Sequence, residues 1–193
     1  MLEAQETAPV VRQPAVEVSA TPLAGLGVDP DQVPANTQTS SGDELKRGRA
    51  RTFGDLVNET FNSISISEAQ GNPFQPEVTF RGFSASSLLG NPAGISVFFD
   101  GVRVNEPFGD TVLWDLIPSS AIESISIVPG SNPLFGLNTL GGAISIRTKS
   151  GRTSPGAEAN LGAGSFGRRT AGASVGGAGD YADGFMTCSQ PRH

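Results

Sequence analysis

The sequence predicts an α+β chain. It reads as a small domain built on a mixed sheet of four to six strands with short helices and long loops, followed by the first strands of a truncated transmembrane β-barrel. Three observations carry this. The 193 residues include 25 glycines and 14 prolines, about a fifth of the chain, which favours turns and loops over long helices. Charged residues make up only 17%, below the usual quarter, while apolar clusters recur, so this is not the composition of a disordered chain. Apolar residues also recur mostly with a period of two, the signature of strands.

The elements are taken in chain order. Residues 1–34 hold five of the 14 prolines and no amphipathic period, which predicts a flexible arm. Within it, residues 15–20 alternate apolar and polar through Val16, Glu17, Val18, Ser19 and Ala20; this is either a fortuitous alternation or a peptide able to add a strand to a partner's sheet edge. Residues 35–42 are polar and suit an edge strand. Lys46, Arg47, Arg49 and Arg51 form a small basic knot with the character of a solvated face. From Thr52, a capping residue, apolar side chains at 53, 56, 57 and 61 have helical spacing. Strands are expected at 63–67, at 77–83 with Val78, Phe80 and Gly82 on one face, and at 95–99. Asp100-Gly101 then joins the last of these to 102–104 as a hairpin. Residues 119–128 start as a helical turn after Pro118 and become a strand that stops at Pro129-Gly130, and 142–149 is a further strand. Residues 35–150 thus make one domain with a modest core.

After Gly151 the texture changes. Residues 157–161 and 170–175 alternate with small apolar residues on one face, the weak dyad pattern of a membrane-barrel strand. Two such strands cannot close a barrel. Residues 151–186 are therefore expected to be an incomplete set of first barrel strands, and 187–193 an aberrant tail outside the pattern. The acidic opening residues lack the apolar stretch of a secretory signal, as in a mature form or a piece of a longer gene product.

Several functions are excluded or disfavoured. A net charge of −6 gives no general attraction to nucleic-acid phosphate. The single cysteine, Cys188, and the single histidine, His193, leave no disulfide framework, no histidine triad and no thiolate or histidine metal site, so no cofactor and no metal are expected. Residues 162–167 satisfy the G-x-G-x-x-G pattern, but they lead into a glycine-studded alternation instead of a helix, and Asp183 is too near to be the ribose-binding acid. Asp110 and Asp115 have no partner base that would make them a catalytic pair.

The informative run is 77–149. Phe80-Arg81-Gly82-Phe83 is followed by Phe99-Asp100-Gly101-Val102 and by Ile122-Glu123-Ser124-Ile125-Ser126-Ile127-Val128-Pro129-Gly130. Then come Leu134-Phe135-Gly136 and Leu140-Gly141-Gly142-Ala143-Ile144-Ser145-Ile146. Several motifs in this fixed order resemble the plug domain of TonB-dependent outer-membrane receptors, over about residues 15–150, with 155–186 similar to the start of the barrel.

The resemblance implies gated transport rather than catalysis, by a plug in the outer membrane of a Gram-negative bacterium, facing the periplasm. Val16, Glu17, Val18, Ser19 and Ala20 lie where the family's TonB box does, which pairs as a strand with the periplasmic energy-coupling protein. Arg81 matches a family arginine that pairs with acidic residues of the barrel wall, although Pro129 stands where a second such arginine is often found. The loops 84–94 and 105–114 match the outward apices that touch ligand, and offer Ser86, Ser87, Leu88, Asn91, Glu106, Phe108, Asp110 and Trp114. Few cations stand there, so a neutral or weakly polar compact chelate is expected, a ferric siderophore being the family's commonest cargo. The implied partners are the TonB protein, the chain's own barrel and this small chelate, with no nucleic acid. A soluble periplasmic module or inactive remnant with the same fold, or a nucleotide-binding enzyme, remain as alternatives at this level.

Overall fold

The computed structural model of the chain describes residues 37–41, 57–58, 60–61, 63–68, 75–86, 88–91, 93–131, 135–163, 169–179 and 182–192. The arm 1–34, the basic knot, the first part of the 52–61 helix and the glycine-rich run at 164–167 lie outside the described residues. Among the described residues, eleven strands form three sheets. The first sheet, in spatial order, contains β1 (Gln38–Ser41), β7 (Ile122–Pro129), β8 (Gly142–Thr148), β5 (Ile95–Phe99) and β6 (Val102–Arg103). Every neighbouring pair is antiparallel except β5 and β8, which run parallel with Ile95 opposite Gly142. The second sheet is an antiparallel run of β2 (Ile64–Glu68), β3 (Pro76–Phe80) and β4 (Phe83–Ala85).

The period-two pattern explains which side of each strand is buried. Ile95 and Val97 on β5, Ile125 and Ile127 on β7, and Ile144 and Ile146 on β8 point to one side of the first sheet. There they pack with Val78 and Phe80 of β3, with Trp114, and with Val57 and Phe61. Phe61 N–H donates to the Val57 carbonyl at 2.9 Å, so the end of the expected amphipathic helix does enter the core. The other side of the first sheet carries serines: Ser96, Ser124, Ser126 and Ser145 are all buried. A second small cluster of Phe98, Val128, Phe135 and Ala143 covers one end of that side.

Two tight hairpins set the register. Asp100 and Gly101 both have positive φ, 48° and 82°, the conformation whose twist matches flanking strands. The Asp100 carboxylate reaches across to β8, accepting from Thr148 N–H at 2.8 Å and Thr148 Oγ1 at 2.7 Å. The second hairpin corrects the sequence reading of 77–83 as one strand. Arg81 and Gly82 take φ of 51° and 84°, and the chain folds back so that Phe80 pairs with Phe83. Glycine tolerates that conformation at little cost, and the period-two pattern carried no sign of the reversal.

Three loops gather at one end of the first sheet. Residues 86–94 lead into β5, and β7 ends at Pro129 opposite the start of β8 at Gly142. Val104 N–H donates to Val97 O, and Asn105 Nδ2 to Ile95 O, which returns the chain after β6 to this same end. Just beneath the loops the backbones come very close. Gly141 N–H donates to Gly94 O at 2.8 Å, and a Cβ on Gly141 would sit 2.6 Å from the Phe83 side chain.

The third sheet is an antiparallel meander of β9 (Gly156–Ala163), β10 (Arg169–Ala178) and β11 (Asp183–Arg192). Sequence alternation foresaw two of these strands. The third pairs with β10 from Asp183 through Arg192, so strand pairing runs on through most of the expected tail. β11 is an edge strand, where Pro191, which has no N–H to give, is tolerated. The meander joins the first sheet through the connection after β8. Lys149 Nζ donates to Ser120 O at 2.7 Å and lies 5.8 Å from the centre of the Phe185 ring. Thr187 Oγ1 donates to Ser120 Oγ at 3.0 Å, and Gly151 N–H to Asp183 Oδ1.

Candidate functional site

The gathered loops are the place to look for a site, because a scaffold of buried strands holds them and their backbone is accessible. The first loop is stitched from within. Ser86 is buried, and its Oγ accepts from Leu88 N–H at 3.1 Å and from Asn91 Nδ2 at 3.2 Å. Asn91 Nδ2 also donates to Glu77 Oε1 at 2.8 Å, tying the loop to β3. Leu88 is half-buried, and neighbouring Leu89 is exposed. Ser87 lies outside the described residues.

The second loop is closed by Glu106 N–H donating to Thr111 O at 2.9 Å and by Thr111 Oγ1 donating to Glu106 Oε2 at 3.2 Å. Phe108 stands at its tip with 79% of its surface exposed. Asp110, in a left-handed conformation, pairs with Arg103 at 3.0 Å and accepts from Asn138 Nδ2. The loop is docked on the first one by Val112 N–H, which donates to Ser86 O at 2.9 Å.

Trp114 is placed differently from the sequence expectation of an outward contact. It is only 2% exposed, and its indole N–H donates to Ala85 O at 3.2 Å. A tryptophan of this size is drawn into the apolar cluster when its one polar atom finds a backbone acceptor there. Ser86 is likewise a structural hydroxyl rather than a surface one. Phe108, Glu106 and Asn91 stay at or near the surface, and so does Arg81, whose guanidinium sits 5.2 Å from the centre of the Phe80 ring in the β3–β4 turn.

Sequence reasoning missed a third loop. Leu137, 86% exposed, and Leu140 lie on residues 135–141, beside the Asp110–Asn138 bond. The signal was Gly136-Leu137-Asn138, a turn sequence carrying a large apolar residue that no core position needed. Val16, Glu17, Val18, Ser19 and Ala20 lie outside the described residues. Among the described residues, no group of three or more His, Cys, Asp or Glu is placed to hold a metal ion.

The β9–β11 meander presents two unlike faces. Ala157, Val175 and Met186 are cross-strand neighbours on one face, as are Ala159, Ala173 and Cys188, and Leu161 stands opposite Ala171. All of these are exposed. The opposite face carries Glu158, Ser174, Phe185 and Thr187, the last two in contact with Lys149 and Ser120. One face is thus small and apolar, and the other turns toward the mixed-sheet domain.

The mixed-sheet domain, with its loops at one end, thus runs on into long alternating strands. The family model described as TonB-dependent Receptor Plug Domain matches residues 29–143, and the chain belongs to this family. Among solved structures it is similar to the ferripyoverdine receptor of the outer membrane of Pseudomonas aeruginosa bound to ferripyoverdine. That match has 16% identity and a TM-score of 0.64, covering 90% of this chain and 22% of that one. It is also similar to the siderophore receptor PiuA of Acinetobacter baumannii, at 19% identity and a TM-score of 0.60, covering 82% and 21%. The ferric yersiniabactin uptake receptor FyuA of Yersinia pestis matches at 20% identity and a TM-score of 0.54, covering 75% and 22%. At these identities the likeness is one of fold, and the chain spans about a fifth of the length of these receptors. No curated protein matches the sequence.

Proposed function

We propose that this chain is the plug, with the first barrel strands, of an outer-membrane receptor that gates energised uptake of a ferric siderophore. The observation that carries the reading is continuity. A domain of the plug family runs directly into strands whose outer face is small and apolar and whose inner face touches the plug. That partition is what a barrel wall requires, with lipid on one side and the occluding domain on the other. The gathered loops face outward and meet the ligand through Phe108, Leu88, Asn91, Glu106 and the apolar tip at Leu137. Arg81, exposed at its turn, pairs with the surrounding barrel wall. The uptake receptors for ferric ligands among the structural neighbours support this cargo.

The mechanism is a shift in equilibrium followed by force. Ligand at the loop end favours a state in which the amino-terminal arm is offered to TonB on the periplasmic side. Val16, Glu17, Val18, Ser19 and Ala20 then pair as a strand with TonB, backbone to backbone. Traction opens the plug locally, and the ligand passes. In the complete receptor, Val18→Pro removes a backbone donor from that strand. Energised uptake is expected to fall to background while ferric-siderophore binding at the surface is retained. Uptake at the unaltered rate would overturn the arm assignment.

A further inference from the structure

We propose that Arg103, Asp110 and Asn138 are positioning residues that hold loops 105–112 and 135–141 together as one unit. They fix the spacing of the two apolar tips, Phe108 and Leu137. The functional use of those tips rests on the reading of this end as the ligand-facing one; the mechanical coupling does not.

Both carboxylate oxygens of Asp110 are committed inward. Oδ1 lies 3.0 Å from Arg103 Nη2 and Oδ2 accepts from Asn138 Nδ2, so one side chain ties β6, its own loop and the third loop. A charge-assisted contact of this kind is stronger than a neutral one, and the two partly buried ends are shielded from water. The Arg103 Nε is buried and finds no hydrogen-bond partner among the described residues. The Asp110 carboxylate is the hydrogen-bond partner of this guanidinium among the described residues. Asp110 and Asn138 also have φ of 55° and 60°, a left-handed conformation that Asp and Asn adopt more readily than other non-glycine residues, so both loops turn sharply at the tied positions. Phe108 stands two residues before Asp110, and Leu137 one before Asn138. The bond between the two polar side chains thus ties together the two loops that carry the exposed tips.

The consequence is that neither loop moves alone. Pressure on Phe108 is passed to residues 135–141, which lead into β8, and in the other direction to Arg103 on β6. Asp110, which sequence reasoning offered as a ligand contact, acts here by aiming its neighbours.

Amide hydrogen exchange of the whole chain, read peptide by peptide, tests this without any ligand, so it stands or falls separately from the cargo. Asn138→Ala is expected to speed exchange about tenfold in 105–112 as well as in 135–141, the effect of losing one net hydrogen bond, with β7 and β8 unchanged. Asp110→Ala should do the same to both loops. Arg103→Ala should loosen them too, while Arg103→Lys, which keeps the charge, should restore most of the protection. A change confined to 135–141 in Asn138→Ala would overturn the proposal. So would equal loosening by Arg103→Lys and Arg103→Ala. If Asp110→Ala also loses protection in β7 and β8, Asn138→Ala decides the question through residues 105–112, because the backbone cost of alanine at φ 60° is confined to its own loop.

Discussion

The mixed-sheet domain and the β9–β11 meander are built on opposite principles. The first closes on itself: isoleucines, valines, phenylalanines and Trp114 from two sheets meet in one buried cluster. The second exposes its apolar face. Leu161 is 88% exposed, and Val175 and Met186 also point outward. Its neighbours on that face are alanines too small to form a core. The same two-residue period therefore serves two solvents. In the domain, the apolar side turns to protein; in the meander, it turns away from the protein, toward hydrocarbon in the proposed receptor. Alternation alone does not say which; the partner does, since the domain's apolar sides meet one another in a buried cluster while Leu161, Val175 and Met186 stay exposed among the described residues.

If that contrast is right, a core deletion should be the most costly change. Trp114→Ala should lower the stability of the domain by about 3–5 kcal/mol, since it opens a large cavity and also removes one donor from the Ala85 carbonyl. Urea unfolding followed by circular dichroism would measure it. Val175→Arg sharpens the comparison from the other side. It should cost about 2–4 kcal/mol when the full receptor is unfolded from lipid vesicles, yet leave this chain's stability in water unchanged. An equal penalty in both solvents would mean that the exposed face packs against protein.

Smaller effects probe how the loops are held. Asn105 Oδ1 accepts from Val97 N–H at 2.7 Å and its Nδ2 donates to Ile95 O at 3.0 Å, so it extends the ladder of β5 by side chain alone. Asn105→Ala should cost about 1–3 kcal/mol in the same urea experiment, because buried backbone groups lose their partners. Gly101→Ala, at φ 82°, should cost about 1 kcal/mol. Phe108→Ala should change stability by less than about 0.5 kcal/mol while weakening ferric-siderophore binding to the full receptor, as measured by titration.

Local chemistry made part of the molecule legible in the sequence. Asp100-Gly101 had one good reading and took it. Ile125, Ile127, Ile144 and Ile146 faced the core that their spacing promised. The Arg81-Gly82 reversal was missed because Val78, Phe80 and Gly82 kept a perfect period across it; only backbone twist distinguishes a turn there. β11 was undervalued because Thr187 to Arg192 mixes polar residues with a proline, and its place is decided by the partner strand β10. Within the candidate site, the exposure of Phe108 was legible because a large aromatic in a short Pro- and Gly-containing loop has nowhere to hide. Trp114, six residues on, looked equivalent. Its burial depends on the Ala85 carbonyl, 29 residues away in sequence. Arg103 was invisible for the same reason, since its partner Asp110 is set by the folding of the loop, whereas Leu137 left a signal in its turn sequence that was passed over.

The glycine collar beneath the loops separates the parts that are free to vary from those that are not. Gly94 and Gly141 bring two backbones within 2.8 Å, and Phe83 occupies the room that a methyl group on Gly141 would need. At Gly142, with φ 145°, a side chain would meet the Val128 carbonyl at 2.5 Å. Above that ring the chain is open to new lengths and new side chains; below it, almost any added atom is refused. In the proposed receptor, re-tailoring for a different cargo is thus a matter of exchanging the crown while leaving the throat untouched.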